Sequence, residues 1–156
     1  MKIEIWFTGK SKGTWIVQGI DAYVLRCKRY AALDITVIPE SKYTQADAIL
    51  TDESERILAR LRKSPRAYTV LLDVTGRSLS SDAFAELISQ QFVRGYTSVR
   101  FIIGGAYGVT AAVKEAADFV LSLSAMTFPH QLVRLIFLEQ LYRAFTILRS
   151  ESYHHD

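Results

Sequence analysis

The chain has 156 residues, of which 49% are hydrophobic and 22% charged, and its formal net charge is +3. This composition is typical of one globular domain with a substantial core, and the mild basic excess permits an anionic partner without requiring one. The single cysteine, Cys27, excludes an internal disulfide and a cysteine-based zinc site. No segment approaches the roughly 18 apolar residues of a membrane span and no signal segment is visible, so we expect a cytoplasmic protein with no membrane or metal partner.

Strands and helices alternate along the whole chain. Alternating polar and apolar residues, or short apolar runs, predict strands at residues 2–7, 33–38, 68–73, 99–103 and 119–123. Amphipathic segments predict helices at residues 14–29 with Thr14 as N-cap, at 42–63, 82–94 and 110–117, and from Pro129 to about residue 148. This β-α repeat indicates an α/β fold, with a parallel sheet covered by helices on both sides.

The strand at residues 68–73 is nearly all apolar, which is typical of a central strand buried on both faces. In parallel sheets, ligands bind beyond the carboxyl ends of the strands. The loops that follow Leu72, Ile103 and Leu123 are therefore the candidate binding loops.

The last predicted helix is apolar over more than one face. At 100° per residue, Leu132, Ile136 and Ile147 lie opposite its main apolar side. Burying a Leu or Phe side chain stabilises by roughly 1.5–3 kcal/mol, so three such residues left in water would forgo several kcal/mol. We therefore expect the helix to have two partners, its own sheet and a second copy of the chain in a symmetric dimer. The dimer would carry the C-terminal tail towards the neighbouring subunit.

The segment Gly104-Gly105-Ala106-Tyr107-Gly108 follows the fourth strand. Glycines let a backbone approach a ligand closely, and they equally suit a tight strand-to-helix turn, so both interpretations stay open. The spacing does not match a dinucleotide fingerprint, and no Gly-Lys-Ser/Thr follows as in a phosphate loop. A nucleotide-binding oxidoreductase is accordingly disfavoured.

Individual polar residues offer further candidates. Asp73 ends the third strand, where it can hold a ligand or accept a proton, although a lone loop Asp more often bonds nearby amides. His130 lies in the first turn of the last helix, as a possible functional base or as a locally bonded helix-start residue. A hydrolase triad of Ser124, His130 and Asp73 lacks the G-x-S-x-G elbow. Cys27 suits the core better than a nucleophilic role.

Basic residues occur in several short clusters. They are Arg26, Lys28, Arg29, Arg60, Arg62, Lys63, Arg66, Arg94 and Arg100, beside Arg77, Arg134 and Arg149. Each cluster alone suits a solvated face, whereas together they predict a phosphate-contacting surface.

Several motifs together resemble one known family. They are Leu71-Leu72-Asp73 followed by Gly76-Arg77, Ile102-Ile103-Gly104-Gly105 with Gly108, residues 121–134 (LSLSAMTFPHQLVR), residues 139–144, and the closing Tyr153-His154. The block around Thr127-Phe128-Pro129-His130 is highly specific. From end to end, the chain resembles the bacterial RlmH family, small SPOUT-class methyltransferases that methylate N3 of a pseudouridine in large-subunit ribosomal RNA.

The resemblance implies one SPOUT domain over residues 1–156, with a deep trefoil knot in its C-terminal half, about residues 68–156. It also implies a homodimer with active sites at the subunit interface, and S-adenosylmethionine as cofactor. Carried over residue by residue, the implied cofactor-binding residues are Leu72, Asp73, Gly104, Gly105, Leu123, Ser124, Ala125, Met126, Thr127 and Phe128.

The resemblance also implies catalytic roles for His130, Arg134, Arg143, Tyr153 and His154. Either histidine, the second from the partner's tail, would position or deprotonate N3, and either arginine would stabilise negative charge on the base. Family members tend to have Lys or Arg after the tail Tyr-His, whereas His155 follows here, so a permanent charge is replaced by a pH-dependent one.

The expected substrate is the assembled ribosome. The alternatives are a SPOUT methyltransferase acting on tRNA and a non-enzymatic dimer that binds RNA or ribosomes.

Overall fold

The five predicted strands form one parallel sheet in the computed structural model, which describes residues 1–155. The strands are β1 (Lys2–Thr8), β2 (Ala32–Ile38), β3 (Tyr68–Ser78), β4 (Ser98–Ile103) and β5 (Phe119–Ser122). Their order across the sheet is β2-β1-β4-β3-β5. The middle strand is β4, all six of whose residues are buried. The predicted central strand, β3, is an interior strand beside it.

Helices cover both faces of the sheet, as predicted. They are α1 (Thr14–Cys27), α2 (Ala46–Lys63), α3 (Ser81–Val93), α4 (Ala111–Ala116) and α5 (His130–Leu148). Successive strand residues point to opposite faces. Ile5 and Phe101 therefore belong to the core under α1, α3 and α5, whereas Trp6 and Ile102 belong to the core under α2 and α4.

The ends of the helices differ from prediction by one to four residues, and two starts are informative. Gly13, not Thr14, is the N-cap of α1, with a φ of 90° and no side-chain cap bond. The helix α2 begins at Ala46 rather than at residue 42, because the preceding polar residues form a bend. The end of α3 follows prediction, since Gly95 adopts a φ of 89° directly after the C-cap.

The strand β3 is longer than predicted, and it is interrupted. Leu72 and Arg77 both pair with Leu121 of β5, so residues 73–76 form an excursion between two parallel-paired segments. Gly76 rejoins the sheet where a Cβ atom would lie 2.7 Å from backbone atoms of Val120 and Leu121. The strand predicted at residues 68–73 therefore ends too early, because the mostly polar residues that follow it give no strand pattern although Arg77 and Ser78 pair with β5.

The helix α5 packs against the sheet and against both α1 and α3. Its approach to α1 is close, since a Cβ on Gly19 would lie 2.8 Å from Leu135 Cδ1. The expectation that Ile147 needs a partner outside the chain is wrong, because it packs on the chain's own core. Leu132 and Ile136 remain half-buried. None of the helices within residues 1–155 is long and apolar enough to cross a membrane.

Candidate active site

An apolar cavity of about 400 Å³ opens beyond the carboxyl ends of β3 and β5. Its wall consists of Leu72, Asp73, Val74, Leu121, Leu123, Ser124, Met126, Phe128 and Val133. Six of these residues belong to the predicted cofactor loops. The cavity exists because the excursion at residues 73–76 and the loop after β5 leave the sheet edge together.

A second depression, of about 710 Å³, continues from this cavity to the carboxyl end of β4. It shares Leu72, Asp73, Val74, Phe128 and Val133 with the first, and adds Ile103, Gly104, Gly105, Ala106, Gly108, Val109 and His130. The loops predicted from the ends of β3, β4 and β5 therefore surround one continuous groove.

The glycines of the β4 loop are constrained by close packing. A Cβ on Gly104 would lie 3.0 Å from Val109 Cγ1, and one on Gly105 would collide with the Glu53 carboxylate. Gly108 has a φ of 76°, and its N–H donates to the Gly105 carbonyl at 3.1 Å. The tight-turn interpretation is confirmed, and because these glycines line the groove, ligand binding by their backbone stays a prediction.

Asp73 is held by its neighbours in the chain and in α4. Its Oδ1 accepts from Thr75 N–H at 2.9 Å and from Thr75 Oγ1 at 2.5 Å, and Lys114 Nζ lies 3.1 Å away. Burial alone would raise the pKa of Asp73, but these hydrogen bonds and the Lys114 charge lower it below its usual 3.8. The local interpretation of Asp73 is confirmed, and its ionised side chain fixes one rim of the cavity.

The loop after β5 is organised by serine hydroxyls. Ser122 Oγ donates to the Ser124 carbonyl at 2.9 Å, and Ser124 Oγ accepts from Met126 N–H at 3.0 Å. Met126 is 73% exposed although it lines the cavity, so its side chain is available to cover a ligand. Ala125 and Thr127 are exposed and are not part of the wall.

His130 borders the groove at the start of α5. Burial, together with the Arg134 and Lys12 charges, lowers the pKa of His130 below its usual 6.5. The imidazole is therefore neutral at pH 7 and can accept a proton.

Arg134 is fully buried, and its guanidinium binds the loop after β1. It donates to the carbonyls of Thr8 at 2.5 Å and Gly9 at 3.0 Å and to Ser11 Oγ at 3.1 Å, and it stacks over the Phe7 ring. Burial lowers the pKa of Arg134 to about 10, so it stays charged at neutral pH. Its place in a phosphate-contacting surface is a wrong prediction, because its donors are directed inwards.

The same correction applies to Arg100. This side chain is 2% exposed and bonds Glu4 Oε2 at 2.9 Å and the Pro65 carbonyl at 3.0 Å. The other basic residues of the predicted surface are exposed: Arg26, Lys28, Arg29, Arg60, Arg62, Lys63, Arg66, Arg77, Arg94 and Arg149.

Arg143, Tyr153 and His154 lie together near the C-terminal half of α5. Arg143 bonds Glu139 Oε1 at 2.5 Å, stacks over the Tyr153 ring, and lies 3.4 Å from His154 Nδ1. His154 Nε2 also lies 3.6 Å from Asp82 Oδ2 in α3. Burial and a hydrogen bond with the Tyr23 hydroxyl raise the pKa of Tyr153. The tail is thus fastened to α3 and α5 of its own chain.

One chain does not bring this cluster to His130. Thirteen residues separate His130 from Arg143 along α5, and at 1.5 Å per residue they are about 20 Å apart. The predicted catalytic residues therefore form two groups in one chain, with Arg134 buried between them.

Sequence reasoning missed Val74, Leu121 and Val133 as cavity residues. Val133 could have been predicted, because it lies about one helical turn after His130 and therefore on the same face of α5.

Cys27 is a core residue as expected, since it is buried and its burial raises the pKa of its thiol to about 12.

Comparisons with known proteins agree with this architecture. The profile of the family described as Predicted SPOUT methyltransferase matches residues 1–154. A protein of Trichlorobacter lovleyi named Ribosomal RNA large subunit methyltransferase H is 44% identical over 155 residues, covering 99% of this chain and 100% of the relative. Its namesake from Carboxydothermus hydrogenoformans is 41% identical over 160 residues, covering 99% of each chain.

Among solved structures, a protein of Bordetella pertussis called Probable Methyltransferase is similar in fold. Its TM-score is 0.58 at 12% identity, over 92% of this chain and 95% of that one. The resemblance read from the sequence motifs is thereby confirmed, and this chain belongs to the ribosomal RNA large subunit methyltransferase H family of SPOUT methyltransferases.

Proposed function

We propose that this protein uses S-adenosylmethionine to methylate N3 of a pseudouridine in 23S ribosomal RNA of the assembled ribosome. The observation that supports this most is the continuous groove at the carboxyl ends of β3, β4 and β5 in a chain of this family. Its exposed arginines and lysines supply charges for RNA phosphates.

The groove residues fit the proposed cofactor. Leu72, Leu121 and Phe128 offer apolar walls for an adenine ring. The turn at Gly104 and Gly105 has no room for side chains, so its backbone groups can approach a ligand closely. When bound, the cofactor would supply a methyl group already activated by its sulfonium charge.

The chain's own residues would then align the acceptor base and exclude water. N3 of the base is an imide nitrogen that must lose its proton. His130, neutral and at the groove, or His154 of the partner subunit would position or deprotonate it. Arg143 of the tail cluster is suited to stabilise charge on the base oxygens, whereas buried Arg134 acts as a positioning residue for the β1 loop.

A dimer is part of the proposal because the two groups of predicted catalytic residues are about 20 Å apart in one subunit. A second copy would supply its tail, including Tyr153, to the groove. We also propose a trefoil knot within residues 68–156 and a cytoplasmic location, where ribosomes are available as substrate.

The test is methyl transfer from labelled S-adenosylmethionine to ribosomal particles, with mass-spectrometric mapping of the product. We expect activity with the natural chain and losses for His130→Ala, His154→Ala and a truncation after Ser150. Full activity in all three variants would remove both histidines and the tail from the mechanism.

Two outcomes would favour the alternatives. Methylation of isolated tRNA but not of ribosomal particles would favour a tRNA enzyme. Absence of S-adenosylmethionine binding at millimolar concentration in calorimetry would favour a non-enzymatic RNA-binding dimer.

A further inference from the structure

A cavity of about 610 Å³ adjoins the groove on its other side, beyond the carboxyl ends of β1 and β2, and we call it the polar cavity because most of its lining residues have polar side chains. Gly105, Ala106 and His130 belong to both, so they form the boundary between them. The groove occupies the β3 and β5 half of the sheet edge, and this cavity occupies the β1 and β2 half. Group transfer needs two ligands that meet, and this boundary is where neighbouring ligands would meet.

Glu53 of α2 is the most unusual residue of the polar cavity. Its side chain is 5% exposed, and its Oε1 accepts from Ser41 N–H at 3.0 Å. Its Oε2 is buried next to Gly105 and has no hydrogen-bond partner within residues 1–155. A buried carboxylate oxygen without a donor is costly, so this position suits a ligand that brings an N–H group.

The surroundings of Glu53 match the imide edge of a uracil-type base. That edge presents a carbonyl, an N–H and a second carbonyl in a row. The Lys12 ammonium lines the same cavity, where it pairs with Glu40 Oε1 at 3.4 Å and keeps further protons to donate to a carbonyl oxygen. Tyr107, 53% exposed at the rim, offers a ring on which a flipped-out base can stack.

We propose that this cavity binds the acceptor base as a flipped-out pyrimidine, and that Glu53 Oε2 accepts its N3 proton during methylation. This inference rests on the proposed function. A bond forms between N3 and the methyl carbon, and the bond from that carbon to the donor sulfur breaks, leaving a neutral thioether. The N3 proton passes to Glu53 and then to water. His130, on the boundary, becomes a positioning residue.

The first test is Glu53→Gln, which keeps an acceptor for Ser41 N–H and removes the proton acceptor. We expect the single-turnover rate on ribosomal particles to fall by about 100-fold or more, with the Kd for S-adenosylmethionine changed less than about twofold. Glu53→Asp, which keeps a carboxylate, should restore part of the rate. The control is Glu55→Gln on the exposed side of α2, which should behave like the natural chain.

A second variant keeps the inference testable if Glu53→Gln does not fold. Tyr107→Ala alters an exposed ring, and loss of base stacking should weaken binding to ribosomal particles by roughly 10-fold. Tyr43→Ala, at an exposed tyrosine outside the cavity wall, is its control and should bind as the natural chain does.

The outcomes separate this inference from the proposed function. If the natural chain methylates ribosomal particles and Glu53→Gln is equally fast, the inference is overturned and the function stands. If Glu53→Gln does not fold, unchanged binding by Tyr107→Ala overturns the inference. If the natural chain does not methylate any particle, the proposed function itself has failed, and the inference with it.

Discussion

Arg134 is a charged residue with a structural task. Its guanidinium donates to two backbone carbonyls and one hydroxyl at the end of β1 and in the loop after it. This loop also forms part of the polar cavity, through Thr8 and Lys12. Sequence reasoning recognised the residue type but not its direction, because one helix position cannot reveal which neighbouring loop it contacts.

We expect Arg134→Met to lower the free energy of unfolding by about 2–4 kcal/mol, because two buried carbonyls lose their donors. Urea unfolding would measure this loss. Arg134→Lys should recover little of it, since one ammonium cannot reproduce the planar fork. Arg149→Met, at an exposed position, is the control and should change stability by less than about 0.5 kcal/mol. Equal stability of Arg134→Met and the natural chain would show that the hydrogen bonds of Arg134 to the end of β1 and its loop do not stabilise the fold.

His130 gives stability a predictable pH dependence. Burial lowers its pKa below 6.5 in the folded state, whereas the unfolded chain takes up a proton near pH 6.5. The unfolded state therefore binds more protons in this window, and the free energy of unfolding falls as the pH falls below about 6.5.

His130→Asn does not titrate in this window, so it should lose less stability than the natural chain between about pH 8 and pH 5. Denaturant unfolding at both pH values measures the difference. His155→Asn, at an exposed position, should keep the slope of the natural chain. Parallel slopes for His130→Asn and the natural chain would refute this account.

At the scale of elements, the interrupted strand β3 shapes the groove. Its residues 73–76 leave the sheet, Asp73 and Val74 line the cavity, and Gly76 brings the chain back against β5. A glycine is needed there because backbone, not a flexible side chain, occupies the space of a Cβ.

Gly76→Ala should therefore separate β3 from β5. We expect the free energy of unfolding to fall by about 2 kcal/mol or more, and S-adenosylmethionine binding to weaken in calorimetry because one wall of the cavity moves. Arg77→Ala, at the next and exposed position, is the control for both measurements. Unchanged stability of Gly76→Ala would show that the two strands can separate without penalty.

Strands and helices were predictable where the spacing of apolar residues clearly matches either a strand or a helix. Strands β1 and β4 and helix α5 follow from alternation, apolar runs and helical spacing. The second segment of β3 was not predictable from hydrophobicity, because residues 74–78 are mostly polar and form a strand only through pairing with β5. The candidate loops were predictable because ligands bind at the carboxyl ends of parallel strands. The burial of Glu53 was not predictable, because the sequence of α2 does not distinguish a buried glutamate from an exposed one.

At the scale of the whole molecule, the proposed dimer makes a distinctive prediction. His130→Ala subunits keep an intact tail, and subunits truncated after Ser150 keep an intact groove. Each variant alone should be nearly inactive. After joint refolding, half of the dimers are mixed and contain one complete site, so activity should recover to about a quarter of the natural level if exchange is random.

Methyl transfer to ribosomal particles measures this recovery. Mixing without joint refolding is the control, and it should give no recovery where subunits do not exchange. Absence of any recovery after joint refolding would mean that the tail acts within its own subunit, where it contacts Asp82 and Glu139.

The order of the strands has a consequence for synthesis. The middle strand, β4, is fourth in the chain, and it pairs with β1 on one side and β3 on the other. A nascent chain that ends before Ser98 therefore has a β1-β2 pair and a separate β3, with no strand to join them. The sheet can close only after most of the chain has left the ribosome, so folding depends on long-range pairing and should be slow for a domain of this size.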